Sequence, residues 1–314
     1  IPGLTPERPL SPTAVRTLLQ CPHRFLLSGP LGWQEPVTAP SVLALDPLAF
    51  GSLFHRVAED FAREHGAEFG GRAGEPAEWK KAARIVAQRA FDHLLREVPL
   101  AGPDVRRQQL ERLLAAVSVF VDYDWSGGRP RTLVAVERPF GEPDPLVLRL
   151  GIHDLHLHGR IDRIDAEDGR TLLRDLKTGR AHPRAGKEAD PDPVLDVQIA
   201  LYGLVAERLA GEWGIPDNVE VAYAYVERRP AMERAFRDDW DVLRAASLRW
   251  LDIVARLLAE RSFPRTPVPG DCDYCPFVAV CGESAPGRRF AAGPPAVGPA
   301  ADFFELRAGE AREP

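Results

Sequence analysis

Gly159-Arg-Ile-Asp162-Arg-Ile-Asp165-Ala166, a turn at Glu167-Asp168-Gly169, then Thr171-Leu-Leu-Arg-Asp175-Leu176-Lys177 is the stretch on which the fold turns. Both halves carry β-branched and leucine residues at strand spacing, and the acidic-glycine step between them predicts a tight connection. Side chains alternate faces along a strand, so Asp175 and Lys177 share one face while Leu172–Leu176 supply core on the other. Asp162 and Asp165 are an odd number of positions apart, so only one of them can join that face. Two carboxylates and an ammonium gathered on paired strands are the equipment for metal-assisted phosphodiester cleavage. Carboxylates hold Mg²⁺ through hard oxygen ligands, and the lysine orients a water or neutralises charge on the phosphorane. A lone acidic–apolar–basic triplet is also common on solvated strands, so the rest of the chain has to carry weight.

Working outward, the first half extends to a strand over Leu155–Ala166 and three further strands are predicted, over Thr132–Phe140, Leu146–Ile152 and Val219–Glu227, the first two joining Leu155–Ala166 and Thr171–Leu176 as a meander. The region before residue 130 reads as helical instead. Ser11-Pro12 is an N-cap with proline at the first helical position. Phe50, Leu53, Phe54, Val57, Ala58 and Phe61 recur at helical spacing on a segment that also carries His55 and Glu59. Pro76–Val98 and Pro103–Asp124 are two amphipathic helices, Val194–Ala210 a helix with Gln198 and Tyr202 one turn apart, and Asp238–Arg261 a long one. Helices and strands in this order give an α/β core with a helical insertion at about 66–130.

Of 40 basic residues only four are lysines (Lys80, Lys81, Lys177 and Lys187), so an ammonium at 177 departs from the arginine this chain uses by default. A guanidinium is bulky and always charged, whereas an ammonium is compact and tunable. A net charge of −6 over 314 residues argues against a uniformly basic nucleic-acid coat but leaves room for a local basic groove. No run reaches the roughly 18 apolar residues of a membrane span and no export signal is visible, so a cytoplasmic protein without membrane contact is expected.

The four cysteines fall as one plus three: Cys21, then Cys272-x₂-Cys275-x₅-Cys281. That grouping suits a metal centre better than disulfides, with a [4Fe–4S] cluster favoured over zinc because only one C-x₂-C knuckle is present. Cys21-Pro22 and Cys275-Pro276 point the same way. Such a centre would staple the two ends of the domain, which is expected to span 1–285, ahead of a Pro/Ala/Gly-rich tail at 286–314 with a short docking segment at Asp302–Leu306.

Taken together, these pieces resemble the RecB-like branch of the PD-(D/E)XK nuclease superfamily, and within it the iron–sulfur nuclease domain of AddB-type helicase–nuclease subunits. The resemblance rests on Leu10-Ser11-Pro12 with Cys21-Pro22, Gly51-Ser-Leu-Phe-His55, the Gly159–Asp165 stretch, Asp175-Leu-Lys177-Thr-Gly179, Gln198-x₃-Tyr202 and the trailing cysteines. It implies a restriction-endonuclease-like core, a mixed central sheet flanked by helices. It makes His55, Asp162, Asp175 and the Leu176 carbonyl the ligands of Mg²⁺ or Mn²⁺, and Lys177 the catalytic lysine. Gln198 and Tyr202 become residues bordering the site that contact DNA or orient Lys177. Glu59, one turn beyond His55, is a candidate partner for its ring.

The implied activity is a deoxyribonuclease, an exonuclease on single-stranded or unwound DNA ends in repair or recombination, with a helicase subunit as a candidate partner. A non-catalytic DNA-end-binding module and a CRISPR-associated nuclease that trims spacer precursors are the alternatives. His153, His156 and His158 are read as sheet histidines rather than a second metal cluster, and Asp165 as an ion-pair partner of Arg160 or Arg163. The chain has no phosphate-binding loop, so it carries no helicase motor itself.

Overall fold

A computed structural model describes residues 1–34, 42–126, 130–179, 190–227, 231–237, 239–281 and 297–308. Lys187 and most of the proline-rich tail lie outside the described residues. At the centre stands a five-stranded mixed sheet in the order β1-β4-β5-β6-β7: β1 (Thr132–Phe140), β4 (Gly159–Glu167), β5 (Arg170–Lys177), β6 (Val219–Tyr225) and β7 (Met232–Phe236). Only the β5–β6 pairing is parallel; the other three are antiparallel. β5 is buried along nearly its whole length because helices cover both faces, which is why its leucines run together instead of alternating with polar residues.

Two corrections follow for the predicted meander. The continuous strand expected over Leu155–Ala166 is broken at His158 into β3 (His153–Leu157) and β4, and these belong to different sheets. β3 pairs with β2 (Leu146–Leu150) as a side hairpin, while β1 skips that hairpin to pair with β4. Gly159 makes the break workable, since a Cβ there would sit 2.7 Å from the Phe140 ring. The break also removes any shared face between His156 and Asp162. β7 is a short edge strand that the sequence reading did not include.

One face of the sheet is covered by α1 (Pro12–Gln20), α6 (Val197–Trp213) and α7 (Trp240–Ala259), in a core that includes Leu173, Val221, Tyr223, Leu204 and Leu251. α6 is the crossover that the parallel β5–β6 pair requires. It comes so close to α7 that a Cβ on Gly203 would fall 2.0 Å from the Trp240 ring. The opposite face packs Leu176, Ala224 and Val226 against α3 (Pro47–Gly70), α4 (Pro76–Leu94) and α5 (Gly102–Ser126). Ser11 caps α1 as expected, accepting from the Ala14 N–H, and Asp46 caps α3 by accepting from Leu48 and Ala49 ahead of Pro47. Each such cap is worth about 1 kcal/mol.

Between α5 and the sheet lies a buried ionic network. Asp124 accepts from Arg163 Nη1 at 2.6 Å, from Arg131 Nη1 at 3.0 Å and from Arg174. Asp165 pairs with Arg163 at 2.9 Å and with Arg174. Arg163, as expected, is thus a partner of Asp165, and Arg160 is not. Burial works against the Asp124 carboxylate, yet Arg163, Arg174 and Arg131 together hold its pKa well below the usual carboxylate range.

The two ends of the chain meet through protein contacts. α2 (Pro22–Ser28) is capped by the Cys21 sulfur, the His23 N–H donates to the Pro264 carbonyl at 3.0 Å, and Gln20 Nε2 donates to Asp271 Oδ1 at 3.1 Å. Asp271 also receives Arg307 from the last described helix, Pro299–Ala308, which buries Phe303 against α7. No disulfide joins the cysteines. The expected four-thiolate centre is not shown among the described residues. Burial, reinforced by Cys21, Cys275, Asp271 and Cys281, pushes the Cys272 thiol up to about 11.

Candidate active site

The site forms where β4 and β5 part. Their ladder ends at the Arg163↔Arg174 pair, one position short of Asp162 and Asp175. In place of a further backbone bond, Asp162 Oδ2 accepts from the Leu176 N–H at 3.3 Å. His55, from the middle of α3, brings Nδ1 to 3.4 Å from the same oxygen, and the imidazole also hydrogen-bonds the Leu176 backbone. The helical face that buries Phe54 and Val57 is what sets His55 at the sheet's edge.

A third donor comes from β1. Between the pairs Val136↔Arg163 and Arg138↔Ile161, Glu137 comes opposite Asp162, with a backbone φ of 49°. A left-handed conformation in a non-glycine strand residue is uncommon and costs free energy, and such residues gather at functional sites. His55, Glu137 and Asp162 each offer a ligand atom within 4.8 Å of the others. Glu137 was not among the residues singled out from the sequence. Its signal is a carboxylate among the apolar residues of Leu133–Val136, and it acquires meaning only once β1 is known to lie against β4.

Asp175 lies beside this group. It is 1% exposed, with Oδ2 2.5 Å from Lys177 Nζ and Oδ1 accepting from Gln198 Nε2 at 3.0 Å. Gln198 Nε2 also donates to the Tyr202 hydroxyl at 2.9 Å, and Gln198 Oε1 lies 3.4 Å from Lys177 Nζ. The Lys177 ammonium stands 5.4 Å above the Tyr223 ring. Thus the expected ligands His55 and Asp162 come together with the Leu176 backbone, while Asp175 joins Lys177, Gln198 and Tyr202 in a second hydrogen-bonded group beside them. Glu59 does not hold the His55 ring; it pairs with Arg63 at 2.6 Å. A cleft of about 650 Å³ opens over His55, Glu137 and Asp162, walled by the first turns of α3 from Pro47 to Ser52.

The electrostatics suit a cation. Burial, then Asp175, raises the Asp162 carboxyl well above its ordinary value, against Lys177 and with Glu137 adding. Burial lowers the His55 imidazole, with Asp175 opposing and Lys177 reinforcing, so a neutral ring faces the carboxylates at pH 7. One imidazole and two carboxylates are a donor set for Mg²⁺ or Mn²⁺, and the mixed nitrogen and oxygen set favours Mn²⁺. Protons compete for both His55 and Asp162, so Mn²⁺ affinity is expected to fall as pH drops from neutral into the acid range, with protons released on binding. Calorimetry in buffers of different ionisation enthalpy checks this, and a flat affinity across that window would count against the ligand set.

Residues 9–282 match the family model described as "PD-(D/E)XK nuclease superfamily". The chain belongs to the PD-(D/E)XK nuclease superfamily, whose members cleave phosphodiesters with divalent metals. The mixed sheet flanked by helices agrees with the restriction-endonuclease-like core of that class. Among solved structures, the one described as "Crystal structure of SSO0001" is similar at 14% identity and a TM-score of 0.31, covering 73% of this chain and 84% of that one. No curated protein matches. No helix among the described residues is long and apolar enough to cross a membrane.

Proposed function

We propose that this chain is a Mg²⁺- or Mn²⁺-dependent deoxyribonuclease of the RecB-like branch, akin to AddB-type nuclease domains, that degrades single-stranded or unwound DNA ends during repair or recombination. The observation that carries the reading is the pair of groups at the parting of β4 and β5: His55 with Asp162, and Lys177 held by Asp175 and Gln198. His55, Asp162, Asp175 and the Leu176 carbonyl would hold the divalent ion, which would supply charge against the scissile phosphate and acidify a water. Lys177 faces the charge that builds on the phosphorane as the water oxygen adds to phosphorus and the P–O3′ bond breaks. The products are a 5′-phosphate and, once the leaving oxygen takes a proton, a 3′-hydroxyl. Gln198 fixes Lys177 against Asp175, and Tyr202 fixes Gln198. Burial, then Asp175 and Asp162, raise the Tyr202 hydroxyl far above its usual range, so it stays a neutral hydrogen-bonding group.

DNA contacts would run chiefly to phosphates, giving little sequence preference and strong salt dependence. The experiment is digestion of end-labelled single- and double-stranded DNA by the purified chain, with Mn²⁺, with Mg²⁺ and with chelator. Metal-dependent shortening of single strands from an end is expected. Retention of DNA without cleavage would favour the end-binding module, and selective trimming of spacer precursors would favour the CRISPR-associated reading. The iron–sulfur staple plays no part in this chemistry; its support is the cysteine spacing and the docking of the segments that carry them. Anaerobic preparation and an absorption band near about 400 nm test it.

A further inference from the structure

We propose that Glu137 is a ligand of the catalytic cation and that Arg160 is the counterion it exchanges for that cation. The proposal rests on the nuclease reading of the same site. Three observations carry it. Glu137 brings a carboxylate oxygen within 4.8 Å of both the His55 and Asp162 donor atoms, so one ion can be shared among the three. Asp175, a ligand in the nuclease reading, keeps Lys177 2.5 Å from Oδ2 and Gln198 3.0 Å from Oδ1, so an ion there still lacks a further freely held carboxylate. Glu137 is not engaged in this way: its one ion pair among the described residues is with Arg160 Nε at 3.9 Å, too long for a hydrogen bond. A half-buried carboxylate lining the cleft, facing an imidazole and a second carboxylate, and held only loosely by its cation, is set up to take a metal.

Arg160 lies two residues before Asp162 on β4, so both side chains belong to one strand face. Its side chain is 55% exposed, beside the cleft. Once Glu137 turns to an ion, Arg160 loses its partner and becomes available to a phosphate of the substrate strand. Metal and DNA then help each other bind, because each relieves Arg160 of the competition between Glu137 and phosphate.

The test measures Mn²⁺ affinity by calorimetry and by loss of the free-ion magnetic resonance signal, on the full chain without DNA. Glu137→Gln keeps the shape and is expected to weaken Mn²⁺ at least tenfold. Arg160→Ala removes a competing positive charge and is expected to tighten Mn²⁺ by roughly two- to fivefold. A merely structural Glu137 would not give opposite signs in the two variants, and thermal melts show whether both are folded. Unchanged affinity in folded Glu137→Gln, or weaker affinity in Arg160→Ala, overturns the proposal. Should Glu137→Gln misfold, Glu137→Asp gives the same readout with the charge kept and the reach shortened, a tenfold loss supporting the assignment and parent affinity refuting it. If these shifts appear but the parent chain cuts no DNA, the ligand assignment stands and the nuclease reading falls.

Discussion

Lys177→Ala is expected to lower the rate of DNA cleavage by about a thousandfold while leaving the melting temperature close to that of the parent. The size follows from removing one preorganised positive group from the position where charge develops, which typically costs two to three orders of magnitude. The separation of effects follows from geometry. Lys177 is a third exposed and contributes its ammonium to the site. Its contacts, Asp175 and Gln198, still have each other through the Gln198 Nε2 bond once the lysine is gone. Lys177→Arg should not rescue, because a planar guanidinium cannot occupy the position of a compact ammonium 2.5 Å from Asp175 and 3.4 Å from Gln198. Single-turnover rates on labelled DNA, with circular dichroism melts alongside, decide it. Cleavage at the parent rate would remove Lys177 from the chemistry.

The second large effect is on stability. Asp124→Ala is expected to destabilise the fold by about 3–5 kcal/mol, since it leaves Arg163, Arg174 and Arg131 buried without the carboxylate they converge on. For a chain of this size that is a fall of roughly 5–15 °C in melting temperature. Because the folded-state pKa of Asp124 lies below its unfolded value, its contribution is fully present above the ordinary carboxylate range and is lost as pH falls through the depressed value. The destabilisation of Asp124→Ala relative to the parent should therefore be full at pH 7 and shrink only in strong acid. A melt within 1–2 °C of the parent at neutral pH would show that the arginines find other partners.

Much of the site was legible in the sequence because it is built from short-range regularities. Strand parity separates Asp162 from Asp165 and puts Asp175 beside Lys177, and helical spacing puts Gln198 next to Tyr202 and His55 on an otherwise apolar face. The structure keeps each of these relations. What escaped reading depends on pairing across long stretches of chain. Glu137 reaches Asp162 only because β1 leaps over the β2–β3 hairpin, and nothing local distinguishes that pairing from a meander. Asp124 looks like a solvent-facing residue near the end of an amphipathic helix, and its arginines lie 7 to 50 residues away in sequence. Cysteine spacing implies that the two ends of the chain meet, but the contacts that join them, through Gln20, His23, Pro264 and Asp271, carry no local signal in the sequence.

Consecutive residues of β5 answer to different masters. Arg174 and Leu176 point toward α5 and α3, where they anchor the helical layer, while Asp175 and Lys177 point toward Gln198 on α6. Inserting or deleting one residue ahead of this tetrad would rotate the whole set by half a turn, driving the reactive pair into the greasy layer and the anchors into the cleft. Mutational drift in this strand is therefore confined to substitutions, and length changes must be absorbed in the Asp168–Gly169 turn, where the chain reverses in the open.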